Sequence, residues 1–153
     1  MTEKLFENDS FLLKGKCTVT SCKAVDGGFA VITDKTLFFP EGGGQPGDRG
    51  RLGKSMVLDT RFDEQGEIIH ICDRSLCEGR EYDMEVDPVH RLDSIQQHTG
   101  EHILSGALHR LFGAENVGFH IGTPYVRMDT SIPLTAAQLA RAEAEANAAV
   151  RAD

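Results

Sequence analysis

The chain has 153 residues, 40% of them hydrophobic and 26% charged, with 16 Lys and Arg against 24 Asp and Glu for a formal net charge of −8. A chain of this size and composition buries roughly 70% of its unfolded surface, which excludes general disorder. The acid excess excludes broad, non-specific nucleic-acid binding, so any contact with nucleic acid is expected to be local, as at one end of a strand.

The first residues, MTEKLFENDSF, are acidic and mixed, unlike a secretory signal, and the longest apolar runs, such as Leu37-Phe38-Phe39, are too short to span a bilayer. A cytoplasmic setting with reduced thiols is therefore expected for Cys17, Cys22, Cys72 and Cys77. Their C-x4-C spacing occurs twice. On a strand, residues five apart point to opposite faces, so buried or partly exposed thiols are expected rather than a cysteine-only zinc clamp.

Residues 1–87 read as strands and turns. Cys17–Val25 and Phe29–Thr33 flank Asp26-Gly27-Gly28, a hairpin signal. A third short strand is expected over Thr36–Phe39. The run Glu41 to Gly50, with five glycines, supports no regular element. Met56–Phe62 and Ile68–Cys72 flank a second hairpin at Asp63–Glu67, and Glu81–Val86 closes the set. Several short strands at close spacing point to a small barrel or a strongly bent sheet.

Residues 88–153 carry the helices. Asp87-Pro88 is a helix start, a capping carboxylate followed by proline at the first helical position. Leu92, Ile95, Thr99, Ile103, Gly106, Leu108 and Leu111 are expected to form its buried stripe, and Gly113 its stop. Val117–Ile121 and Tyr125–Met128 read as two strands joined at Gly122–Pro124. An alanine-rich helix then runs from Ala136 to Val150. The chain ends at Asp153 with neither a cap nor a return strand, which points to a missing downstream segment.

His98-Thr99-Gly100-Glu101-His102 lies mid-helix. Residues i and i+4 share a helical face, so two imidazoles there can reach one metal ion. His109 is seven residues beyond His102, roughly 10 Å along the axis, too far to join. A third ligand has to come from elsewhere; His120 leads, followed by His70, His90 or a cysteine. Read as H-x-x-E-H, the same five residues match an inverted zinc-peptidase signature with Glu101 as general base. That reading needs a downstream acidic ligand, and Glu143 and Glu145 sit on what reads as a solvated helix face.

Three segments, in order, resemble the editing domain of alanyl-tRNA synthetases and the free-standing AlaX-type trans-editing proteins. Phe38-Phe-Pro-Glu-Gly-Gly-Gly-Gln-Pro-Gly-Asp48 looks like the family's aromatic-aromatic-x-E-x-G-G-Q-x-G-D motif. Arg91 to Leu108 looks like its R-x3-I-x2-H-x3-H-L-L helix. Gly118 to Asp129, ending Val126-Arg-Met-Asp129, looks like its glycine-to-R-F-D hairpin, and the final helix resembles the one that follows it. The likeness covers about residues 5 to 150.

The resemblance implies an α+β fold: a small N-terminal β-barrel-like subdomain (1–87, carrying the glycine motif) packed on a two-layer α/β editing-type domain (88–153). It implies hydrolysis of serine or glycine esters on mischarged tRNA for alanine, with the tRNA acceptor end as partner. It assigns zinc to His98 and His102, with two further ligands from a downstream C-x3-H. No cysteine follows Cys77 and no histidine follows His120, so this sequence is expected to bind zinc weakly or not at all. Glu101 stands where synthetase editing domains carry a small hydroxyl residue, which puts strict serine recognition in doubt. It is expected to handle a proton or bind the substrate amine. Gln45 and Glu41 are expected to shape the pocket, with Gly43, Gly44, Asn116 and His120 lining it. Asn116 replaces a family glutamine. No G-K-[ST] follows the glycines, so the loop is not an ATP-binding one. Two alternatives stand beside the hydrolase: an inactive synthetase-related binding module, and the zinc peptidase.

Overall fold

The computed structural model describes residues 1–122 and 124–152; Thr123, in the turn expected at Gly122–Pro124, and Asp153 lie outside the described residues. The chain divides into two compact units, one of Met1–Gly42 with Pro46–Leu92, the other of Gly43–Gln45 with Asp93–Asp153.

The first unit contains β1 (Glu3–Lys4), β2 (Lys14–Val25), β3 (Gly28–Thr33), β4 (Lys35–Thr36), β5 (Gly50–Leu52), β6 (Ser55–Phe62), β7 (Ile68–Cys72) and β8 (Glu81–Val86). Six strands close into a barrel in the order β2-β3-β7-β6-β5-β8, every ladder antiparallel. β1 and β4 form a separate parallel pair. The barrel follows from alternation: Cys17 and Val19, Ile68 and Cys72, and Met84 and Val86 are buried at every second or fourth position. Cys17, Val19, Val31, Leu52, Val57, Cys72, Met84 and Val86 form one core cluster with Leu37 and Phe38. Each fully buried side chain of this size contributes about 1.5–3 kcal/mol by leaving water.

Two expectations change here. The third strand stops at Thr36 instead of Phe39. Phe38 N donates to Thr36 Oγ1 (3.0 Å) and Phe39 N to Asp48 Oδ2 (2.6 Å), so these amides are satisfied by side chains and Leu37 and Phe38 fill the barrel. The glycine-rich run, expected to hold no regular element, ends in β5, which pairs with β6 and β8 and closes the sheet.

Two buried polar groups organise the unit. His70, fully buried, donates from Nδ1 to Val31 O (3.0 Å) and accepts at Nε2 from Thr36 Oγ1 (2.7 Å). Burial pushes its pKa down to about 4, so it is a neutral core histidine. Arg91 donates through Nε to both carboxylate oxygens of Asp48 (3.1 and 2.9 Å) and through its other nitrogens to Asp48, Ser10 O and Leu37 O. His90, also weighed as a metal ligand, is engaged with Arg49 and Gly47 O. The four cysteines are free thiols. Burial pushes Cys17 and Cys72 up to about 12, so both stay protonated and unsuited to metal.

Helix α1 (Pro88–Phe112) begins as expected, with Asp87 Oδ1 accepting from Val89 N and His90 N. It ends at Gly113 (φ +66°), whose amide returns to His109 O (2.8 Å). In the second unit α1 is followed by β9 (Asn116–Ile121), β10 (Val126–Thr130) and α2 (Ala136–Ala152). β9 and β10 pair antiparallel, with a register shift at Asp129/Thr130. A reciprocal cap starts α2: Gln138 N donates to Thr135 Oγ1 and Thr135 N to Gln138 Oε1. Leu108, Ala114 and Ala142 form the core, flanked by Leu104, Leu111, Phe112, Met128 and Leu134.

The expected apolar stripe is the buried face of α1 only in part: Leu108 is buried and Leu111 packs against the core, but Leu92 is 48% exposed, Thr99 and Gly106 are exposed, and Arg91, Ser94, Glu101 and Ala107, outside the stripe, are buried. Polar side chains occupy the inner face because hydrogen-bond partners await them, as Asp48 does for Arg91. No helix among the described residues is long and apolar enough to cross a membrane.

Candidate active site

The site is built on the middle of α1. His98 and His102 stand one turn apart and stack, with ring centroids 5.0 Å apart and planes 16° from parallel. His98 is half-buried and lies 5.6 Å, centroid to centroid, from Phe119 of β9. Its Nδ1–H donates to Gln45 Oε1 (2.9 Å), which leaves Nε2 with a free lone pair. Gln45 is delivered by a two-glycine turn. Gly43 and Gly44 adopt φ +59° and +79°. Gly44 O accepts from Ile121 N (2.8 Å), joining the turn to β9. A side chain at Gly44 would collide with the Phe119 carbonyl, and one at Gly43 would touch the His98 ring. Glycine is required at Gly44 because backbone meets backbone there.

Glu101 lies one residue before His102 yet is buried, with its side chain 4% exposed. Its Oε1 accepts from Ser105 Oγ and from Asn116 Nδ2 (2.6 Å), and its Oε2 lies 3.4 Å from His102 Nδ1. Asn116 is held in turn by its own strand, its Oδ1 accepting from Gly118 N (2.9 Å). One ring nitrogen each of His98 and His102 and one oxygen of Glu101 all lie within 4.8 Å of one another. Among the described residues this is the one such group of histidine, cysteine or acidic side chains.

The structure thus brings together Gly43, Gly44, Gln45, His98, Glu101, His102 and Asn116. His120 is exposed on β9, opposite Arg127, and is not part of the donor group. Glu41 belongs to the barrel unit, exposed, its amide donating to Thr60 O (2.8 Å). Ser105 was not foreseen, although its place four residues after Glu101 on a helix is the spacing at which side chains meet. Phe119 was also missed; it sits between Gly118 and His120 as an ordinary strand aromatic.

For zinc, the donor set fits in part. His98, with its outer nitrogen fixed by Gln45, has the arrangement of a ligating imidazole, and His102, its side chain 72% exposed, has room to join it.

No family model matches the chain. Curated relatives do. The chain is 33% identical over 154 residues to the alanyl-tRNA editing protein AlaX-L of Pyrococcus horikoshii, which covers 96% of this chain and 38% of that protein. It is 33% identical over 138 residues to AlaX-M of the same organism, covering 87% and 62%. It is 36% identical over 163 residues to the alanine–tRNA ligase of Pyrobaculum neutrophilum, covering 99% and 18%. Over nearly its whole length the chain is similar to proteins named as alanyl-tRNA editing proteins of the AlaX type and to an alanine–tRNA ligase. It spans from about a fifth to somewhat under two thirds of the length of these relatives. The paired histidines and the Gly-Gly-Gln turn that carry the resemblance lie side by side, and Glu101, where the sequence departs from the synthetase editing pattern, is buried.

Proposed function

We propose that this chain is the hydrolytic part of an aminoacyl-tRNA editing protein, cleaving serine or glycine esters from mischarged tRNA for alanine in the cytoplasm. The observation that carries this reading is the contact between His98 and the Gly43–Gln45 turn, which sets two stacked imidazoles beside a close-fitting backbone loop. An aminoacyl ester is already activated, so orientation and a positioned water are sufficient for its hydrolysis. Gln45 fixes the tautomer of His98. The glycine turn offers unhindered backbone to the 3′ end of the acceptor strand. Exposed His102 and half-buried His98 face the ester, and the ribose hydroxyl is the leaving group. His98 and His102 would hold a divalent ion, which when bound would polarise the ester carbonyl or lower the pKa of a water. The acidic net charge is compatible with a substrate that enters only by its terminus.

The test is release of labelled amino acid from seryl-, glycyl- and alanyl-tRNA for alanine, with and without zinc, beside a casein-peptide control. Loss of serine or glycine ester that disappears in His98→Ala is expected. Peptide cleavage without ester loss would favour the H-x-x-E-H peptidase. No turnover of any substrate would reduce the chain to a binding module.

A further inference from the structure

We propose that Glu101 is itself a metal ligand, so that this chain holds a divalent transition-metal ion through a His98–Glu101–His102 triad drawn entirely from one helix. The inference shares the histidines of the editing site but rests on donor chemistry, not on the reaction.

Positions i, i+3 and i+4 of a helix lie on one face, and here their donor atoms fall within 4.8 Å of one another. Ligand atoms around a four-coordinate zinc ion are about 3.4 Å apart, given bonds of about 2.0–2.2 Å. The remaining closure falls to His102, whose side chain is mostly in solvent. The outer contacts are those of a ligand set. His98 Nδ1–H is held by Gln45 Oε1. Glu101 Oε1 is held by the Ser105 hydroxyl and the Asn116 amide, which leaves Oε2 on the side of His102. Ligating imidazoles and carboxylates are held by such outer partners. A general acid or amine-binding group needs access to its substrate, whereas Glu101 is 7% exposed and beside the imidazoles. Two imidazoles and one carboxylate suit zinc, cobalt or iron in the divalent state and leave a coordination position open to water or an ester oxygen. The downstream cysteine and histidine implied by the family pattern are then not needed to reach three protein ligands.

The experiment is titration of the metal-free chain with zinc by calorimetry and with cobalt by visible absorption. The expected result is one ion per chain, binding abolished by His98→Ala and weakened at least about tenfold by Glu101→Gln, with the circular dichroism and melting of the metal-free Gln variant unchanged. X-ray absorption of the zinc-loaded wild type should report two imidazoles and additional oxygen scatterers, and zinc-loaded Glu101→Asp should keep them. Wild-type affinity in Glu101→Gln, or no stoichiometric binding by the wild type, would overturn the proposal. Should Glu101→Gln lose its fold, absorption of the wild type decides: histidine scatterers with an unchanged spectrum in Glu101→Asp and retained affinity support the triad, and a cysteine or histidine-only shell refutes it. Metal binding without ester hydrolysis would uphold the triad while removing the editing reading, and hydrolysis without bound metal would do the reverse.

Discussion

Replacing Gly44 by alanine tests how the turn presents Gln45 to His98. The added Cβ would lie 2.8 Å from both the carbonyl carbon and Cδ1 of Phe119, and closer still to the carbonyl oxygen. Carbon atoms pack at about 3.5–4 Å, so the turn must retreat by roughly 1 Å. The residue also keeps φ +79°, a left-handed conformation that costs an alanine about 1–2 kcal/mol. Retreat breaks the Ile121 N to Gly44 O hydrogen bond, a loss of about 0.5–1.5 kcal/mol. The combined cost is about 1.5–3.5 kcal/mol, which in a chain of this size lowers the melting temperature by about 3–14 °C. Gly43→Ala is the internal control. Its Cβ meets His98 Cε1 at 3.5 Å, an ordinary contact, so only the left-handed penalty applies. Thermal unfolding of both variants, with nitrogen-15 spectra of the imidazoles, should show Gly44→Ala the less stable and the Nδ1 proton of His98 released from Gln45. Equal stability of the two variants, with His98 unaltered in both, would refute the steric reasoning.

Three further outcomes follow from the barrel unit. Arg91→Ala leaves Asp48 buried without its cation and should cost about 3–5 kcal/mol by denaturant unfolding, whereas removal of the exposed Lys16–Glu81 pair should leave the unfolding midpoint essentially unchanged. Because the folded pKa of His70 is lowered to about 4, its contribution is fully present above its ordinary value of 6.5 and is lost as pH falls towards 4. About 3 kcal/mol of stability should disappear over that interval, and His70→Gln should flatten that part of the pH dependence. In the native protein Cys77, exposed, should react first with a thiol reagent, and Cys17 and Cys72 only after denaturation; modification of all four at one rate would contradict the packed barrel.

The parts of the fold with local signatures were legible in the sequence: both hairpins of the barrel, the Asp87-Pro88 start and Gly113 stop of α1, and the β9–β10 pair. What was not legible depended on long-range partners. Thr36–Phe39 has strand-forming residues, but Asp48 and Thr36 capture its amides and the strand ends early. Gly50–Leu52 carries no strand signal, and its neighbours β6 and β8 impose one. Apolarity finds only part of the inner face of α1, Leu108 and Leu111; Arg91 and Glu101 are buried as well, where carboxylate, hydroxyl and amide partners exist, a pattern typical of functional sites. The H-x3-H spacing and the Gly-Gly-Gln run were visible as motifs, yet their contact joins residues 53 apart in the chain. Glu101 was noticed as a departure, but its burial beneath Asn116 comes from a strand fifteen residues on.

The most direct measurement is chemical-shift mapping with a non-hydrolysable seryl-adenosine analogue that mimics the charged tRNA terminus. Perturbations centred on His98, His102, Asn116 and the Gly43–Gln45 turn are the expected result. Shifts confined to the barrel groove lined by Met56, Leu58, Glu85 and Pro88, or no shifts at all, would contradict an editing centre on α1.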